Sequence, residues 1–164
     1  MNAQEFQREF RREFGDTMTN TIWQNDEGDY EVFDKYRITR DRHQYQVMCH
    51  STEVGAFSTS RSALSWCIAD KFRDYNLAQK LLNLDNALSN VTRDISARAQ
   101  IADRSKNPEF RETVAIKLET KLIHKKILEN DLANCVNLAK YLQQRGFDNE
   151  TARTGRGQPS KTNR

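Results

Sequence analysis

From Leu77 to Leu142 the chain is almost wholly helix-forming, with Leu, Ile and Val at alternating spacings of three and four and one proline, Pro108, near the middle. Such spacing gathers apolar side chains on one side of an α-helix. Proline is tolerated in the first turn of a helix, but in the interior it removes a hydrogen bond and clashes with the preceding turn. The pattern therefore predicts two long helices that meet just before Pro108. A connection as short as Ser105-Lys106-Asn107 makes them antiparallel neighbours.

In the first of these helices Leu77, Leu81, Leu84, Leu88, Val91, Ile95 and Ala102 form a seam of the coiled-coil kind, interrupted by Arg98. The second, about Glu109 to Arg145 with Gly146 as its stop, would span roughly 55 Å at 1.5 Å per residue. It carries two apolar stripes. Phe110, Val114, Leu118, Leu122, Leu128, Leu132, Val136 and Ala139 gather on one side, and Ile116, Ile123, Ile127, Leu138 and Tyr141 on nearly the opposite one. A lone hairpin buries only one stripe, so the second must meet the rest of the chain or another subunit. Those five residues are the candidate partner-binding surface.

Ahead of the hairpin the period changes. From Ile22 to Phe57 apolar and polar residues alternate, as in Tyr36-Arg37-Ile38-Thr39 and Tyr45-Gln46-Val47-Met48, with polar turns at Asp41-Arg42-His43 and Ser51-Thr52. This predicts a three- or four-stranded antiparallel meander. A sheet that small needs a helix on its apolar face. Ser58, Thr59 and Ser60 offer N-cap hydroxyls for one, with Ala63, Leu64, Trp66, Cys67, Ile68 and Phe72 as its apolar side. A break is expected at residues 74–76, with Asn76 and Gln79 as a capping box. At the N-terminus Phe6, Phe10 and Phe14 line one side of a short amphipathic helix, which either packs on the chain's own core, the preferred account, or detaches to dock on a partner.

The reading is thus an α+β chain in four parts. These are an N-terminal helix over 1–15, a β-meander with its capping helix over 22–75, a long helical hairpin over 76–146 turning at 105–108, and a disordered basic tail over 147–164. With 30% charged residues and a mean hydropathy of −0.89, the 164-residue chain suits solvent-laced helices better than a compact globule. No run reaches the ~18 apolar residues of a membrane span. The first residues mix acid and base instead of forming an apolar leader, so the expected setting is the cytoplasm. Cys49, Cys67 and Cys135 are odd in number and unpaired in spacing, which predicts free thiols in a reducing compartment.

Charge is uneven: residues 1–75 hold 10 Lys or Arg against 13 Asp or Glu, and residues 76–164 hold 16 against 10. Lys117, Lys121, Lys125, Lys126 and Lys140 on the second long helix, with Arg153, Arg156, Lys161 and Arg164 in the tail, are the candidate contacts for nucleic acid. Glu112, Glu119, Glu129 and Asp131 are interleaved with the lysines, so ion pairs one helical turn apart are the competing and preferred account. Catalytic and cofactor patterns are weaker still. Cys49, His50 and Cys67 supply three potential zinc ligands, but strand neighbours point to opposite faces, and a fourth ligand is lacking. His43, His50 and His124 form no triad pattern, and no phosphate-binding glycine loop stands between a strand and a helix. No enzyme activity, cofactor or metal is expected.

The segments Val54-Gly55-Ala56-Phe57-Ser58-Thr59, Ala63-Leu64-Ser65-Trp66-Cys67-Ile68-Ala69-Asp70-Lys71 and Ala139-Lys140-Tyr141-Leu142-Gln143-Gln144-Arg145-Gly146-Phe147 resemble small uncharacterised proteins of marine tailed phages, cyanophage-type myoviruses among them. Since those proteins have no assigned activity, the resemblance implies no catalytic residues. It implies a host-cytoplasmic setting and a virion, assembly or genome-associated role. The expected function is a non-enzymatic interaction or assembly protein that oligomerises or docks through its helical hairpin. The alternative is a nucleic-acid-binding accessory using the lysine-rich helix and tail.

Overall fold

The structure, a computed structural model, describes residues 3–14 and 22–162, with side chains described at residue 5, residues 8–12 and residues 22–146. Helix α1 (Ala3–Phe14) precedes strands β1 (Ile22–Gln24), β2 (Tyr30–Val32), β3 (Tyr36–Asp41), β4 (Gln44–Cys49) and β5 (Thr52–Phe57). Helices α2 (Ser60–Lys71), α3 (Tyr75–Arg104) and α4 (Pro108–Thr162) follow. The five strands form one antiparallel meander in sequence order, so the sheet has one strand more than the alternation predicts. The additional strand is β1, only three residues long, pairing Ile22 with Val32 and Gln24 with Tyr30. So short a strand shows no alternation to read.

Gly28 takes φ 87° in the turn between β1 and β2, but the next turns of the meander are made without glycine. Phe33 and Asp34 take positive φ between β2 and β3, as do His50 and Ser51 between β4 and β5. Two successive left-handed residues match the twist of the flanking strands, as in the two-residue loop between Cys49 and Thr52; the β2–β3 loop holds one residue more. His50, read from sequence as a strand residue, therefore sits in a turn.

Val32, Tyr36, Ile38 and Val47 are fully buried on the inner face of the sheet. They pack on α2, where every residue from Ser62 to Ala69 is buried. The expected one-sided apolar face is too modest: α2 lies between the sheet and the α3/α4 pair and touches α1 as well, so even Ser62 and Ser65 are enclosed. Their hydroxyls are satisfied locally, Ser65 Oγ donating to the Arg61 carbonyl at 2.8 Å. Thr59 caps the helix, its side chain accepting from the Ser62 N–H at 3.2 Å. Phe10 of α1 joins the same core. Phe6 and Phe14 lie outside the described side chains.

Between α2 and α3, Arg73 takes φ 61° and Asp74 caps the next helix by accepting from the Leu77 N–H at 3.1 Å. The break falls where expected, but Asp74 performs the capping assigned to Asn76 and Gln79. Helices α3 and α4 are antiparallel: Asp94 meets Lys121, and Lys80 lies near Cys135. Asn107 caps α4 with its Oδ1, which accepts from the Glu109 N–H at 3.0 Å. Pro108 is the first residue of α4, the position where its missing N–H costs nothing. One continuous core runs from the sheet through α2 to Leu77, Ala78 and Leu81 of α3 and Cys135, Val136 and Ala139 of α4.

Gly146 does not end the second long helix. It lies within α4, which continues to Thr162. A Cβ at this position would collide with the Phe72 ring, so the glycine admits Phe72, the C-cap of α2, against α4. The side chains of the segment read as a disordered tail lie outside the described residues.

Candidate interaction surface

Helix α4 divides its circumference between two environments. Val114, Leu128, Val136 and Ala139 are buried, and Leu118 and Leu132 half-buried, on the side that meets α3 and, further along, α2. The inner stripe is narrower than expected. Leu122 is 52% exposed because it lies about 80° around the helix from the line through Val114 and Leu132, at 3.6 residues per turn. Phe110 is exposed because it sits in the first turn of α4, opposite the connection rather than the body of α3.

On the far side Ile116, Ile123, Ile127, Leu138 and Tyr141 are all between 52% and 62% exposed. The sheet lies against α2 instead of folding over them. Positions Thr120, Asn130 and Asn134, which sequence reading passed over, fall on the same line between these residues. A strict helical count through polar positions, instead of a search for apolar ones, would have found them. The stripe runs from Ile116 to Tyr141, nearly four heptads.

The lysines of α4 separate into two groups. Lys121 Nζ pairs with Asp94 of α3, which also accepts from Arg98 Nε at 3.1 Å. Those two partners hold the Asp94 carboxyl below the usual carboxylate range. Lys125 Nζ lies 3.9 Å from Glu129, one turn on. Lys117 and Lys126 are exposed and take no part in these ion pairs. Lys140 is half-buried. Arg153, Arg156, Lys161 and Arg164 lie outside the described side chains. A shallow groove between α3 and α4 is lined by Arg98, Ile116, Lys117, Thr120, Lys121 and His124.

Other chemically capable groups serve the fold. Cys67 is fully buried, and desolvation pushes its thiol well above the usual range. Tyr36, also fully buried, donates its hydroxyl to Asp70 Oδ2, which Lys35 Nζ approaches at 3.4 Å. His43, His50 and His124 are exposed, and none makes a side-chain hydrogen bond among the described residues. Among the described residues no cluster of three or more His, Cys, Asp or Glu side chains could hold a metal ion, and no helix is long and apolar enough to cross a membrane. Cys49, His50 and Cys67 are thus not gathered with a further ligand into a metal-binding cluster. No protein-family model, curated protein or solved structure matches the chain.

Proposed function

We propose that the chain is a non-enzymatic interaction or assembly protein whose docking surface is the outer face of α4. The observation that carries this reading is the stripe of five large apolar side chains, each more than half exposed, on a helix whose opposite face is already packed. Burying one such side chain contributes roughly 1.5–3 kcal/mol. Exposed apolar side chains gathered on one face, here interspersed with Thr120, Asn130 and Asn134, mark interaction sites when the patch is large enough. The resemblance to small proteins of marine tailed phages supports a phage-encoded assembly role in the host cytoplasm or the virion. The nucleic-acid alternative draws, among the α4 lysines, chiefly on Lys117 and Lys126, since Lys121 and Lys125 have acidic partners within the chain.

The test replaces Ile123 and Ile127 together by Lys. The variant is expected to keep the wild-type circular dichroism and melting temperature while losing the complexes in which the wild-type protein is isolated from its native cell. An unfolded variant would assign the stripe to the chain's own core, and a folded variant retained in those complexes would remove the surface from function. Salt-sensitive DNA or RNA binding that survives the change would favour the alternative.

A further inference from the structure

We infer that the occupant of the α4 stripe is a second copy of this chain, packed along it as a parallel two-stranded coiled coil. This inference rests on the reading of the stripe as a docking surface and adds the partner's identity and orientation. The stripe follows a heptad frame in which Ile116, Ile123, Asn130 and Asn137 take the d position and Thr120, Ile127, Asn134 and Tyr141 the a position. Of these eight layers Ile116, Ile123, Ile127 and Tyr141 are large and apolar, and Thr120, Asn130, Asn134 and Asn137 are polar.

The flanking charges are complementary in the parallel orientation. In a parallel pair, each g residue faces the e residue five positions on in the other helix. Here Glu112 meets Lys117 of the second copy, Glu119 meets His124 and Lys126 meets Asp131, each acid opposite a base. All six side chains are exposed, and none makes an ion pair or side-chain hydrogen bond among the described residues. By contrast, Lys121 and Lys125 on the flank towards α3 have partners within the chain. The next pair, Ala133 with Leu138, is apolar. Only the terminal pair, Lys140 with Arg145, is like-charged, so the register is set by residues 112–131.

The layers agree with the flanks. Parallel alignment stacks Ile116, Ile123 and Ile127 each on its own copy, and lets Asn130 and Asn134 join amide to amide across the axis. A buried Asn pair is a known device for fixing register and oligomer number. An antiparallel pair that brings Ile123 to Ile127 would bring Glu112 to Lys140 and Lys117 to Asp131, but it would set Ile116 against Asn134 and Lys126 against Lys126, so the layers decide against it. Helices α3 and α2 are the main neighbours of α4, and Val114, Leu128, Val136 and Ala139 are buried while the stripe residues stay exposed; Arg98 of α3 borders the stripe at Ile116 and Thr120. The dimer would carry both sheets at one end and both α3/α4 turns at the other.

Three measurements on the full-length chain test this. Light scattering of the purified protein should give twice the 19.2 kDa chain mass, falling to one chain in Ile123→Lys/Ile127→Lys with unchanged circular dichroism. In a Cys49→Ser background, Thr120→Cys should cross-link to itself under mild oxidation, since the two Thr120 side chains share a layer. Lys126→Glu should weaken the dimer, and adding Asp131→Lys should restore it. Cross-linking of Thr120→Cys only to Asn130→Cys would overturn the parallel register. A monomeric wild type would overturn the dimer itself while leaving the docking surface intact, provided the Ile123/Ile127 variant still loses its native complexes. If that variant loses neither, the docking surface falls as well.

Discussion

Asp85 of α3 and Ser58 at the end of β5 form a buried clasp: the Ser58 N–H donates to Asp85 Oδ2 at 3.0 Å and Ser58 Oγ donates to Asp85 Oδ1 at 2.9 Å. Asp85 is 2% exposed, so both oxygens are satisfied where water is scarce. The clasp fixes the junction of β5 and α2 to the hairpin, making the sheet and the long helices one folding unit. Asp85→Ala leaves the Ser58 N–H without its acceptor and should cost about 2–3 kcal/mol. Ser58→Ala keeps the backbone bond and should cost nearer ~1 kcal/mol. Urea melts of the two variants check the order, and equal small losses would mean that the junction is held by packing alone.

Tyr36 gives the fold a pH dependence with a definite sign. Burial first, and then the hydrogen bond to Asp70, hold its hydroxyl above the usual phenol range in the folded protein. The unfolded chain ionises near the ordinary value of about 10. The stabilising contribution is therefore complete below about pH 10 and declines as pH rises above it towards the folded value. Tyr36→Phe should lower stability by roughly 1–2 kcal/mol at neutral pH and flatten the decline above about pH 10. The buried thiols of Cys67 and Cys135, also raised by desolvation, act with the same sign from about pH 8.5. The informative comparison is therefore wild type against Tyr36→Phe above pH 10; parallel curves would refute the assignment.

Gly146 sets two effects against each other. Within a helix, Gly→Ala gains about 1 kcal/mol from propensity. Here the added methyl meets the Phe72 ring, and overpacking of a settled contact costs about 1–3 kcal/mol. Gly146→Ala should therefore lower the melting temperature, and the loss should vanish or reverse in a Phe72→Ala background. A stabilised single variant would show that Phe72 moves aside at little cost.

That glycine also illustrates what sequence could and could not reveal. A Gly after a long apolar period reads as a helix stop, because the signal is local, whereas its role here depends on a phenylalanine 74 positions away. The periods of two and 3.6 located the meander, α2 and both long helices, since each element buries one face and writes that face into the sequence. They missed β1, too short to show a period, and the enclosure of Ser62, Ser65 and Asp85, whose polarity is answered by partners far along the chain or by their own helix. At the surface of α4 the five apolar residues were legible from spacing alone. Their exposure was not, because spacing fixes a face without saying what lies against it.

The hairpin core offers a direct contrast. Leu81 is fully buried between α3 and its neighbours, whereas Leu122 is half exposed although sequence spacing assigned it to the same seam. Leu81→Ala should cost about 2–5 kcal/mol through lost burial and a residual cavity. Leu122→Ala should stay within about 1 kcal/mol, as little apolar surface is withdrawn from water there. Chemical denaturation distinguishes them, and equal losses would mean that Leu122 is covered in solution.

The polar layers of the α4 stripe make the most particular demand. If Asn130 and Asn134 pair with themselves across a dimer axis, each holds the register at some expense of affinity. Asn134→Ile should then tighten association by roughly tenfold or more, since each 1.4 kcal/mol is a factor of ten. The same change should loosen specificity. Self-cross-linking of Thr120→Cys should fall relative to other products, and species larger than a dimer should accumulate in light scattering. Weaker association in Asn134→Ile would place Asn134 outside the seam and disfavour the proposed register.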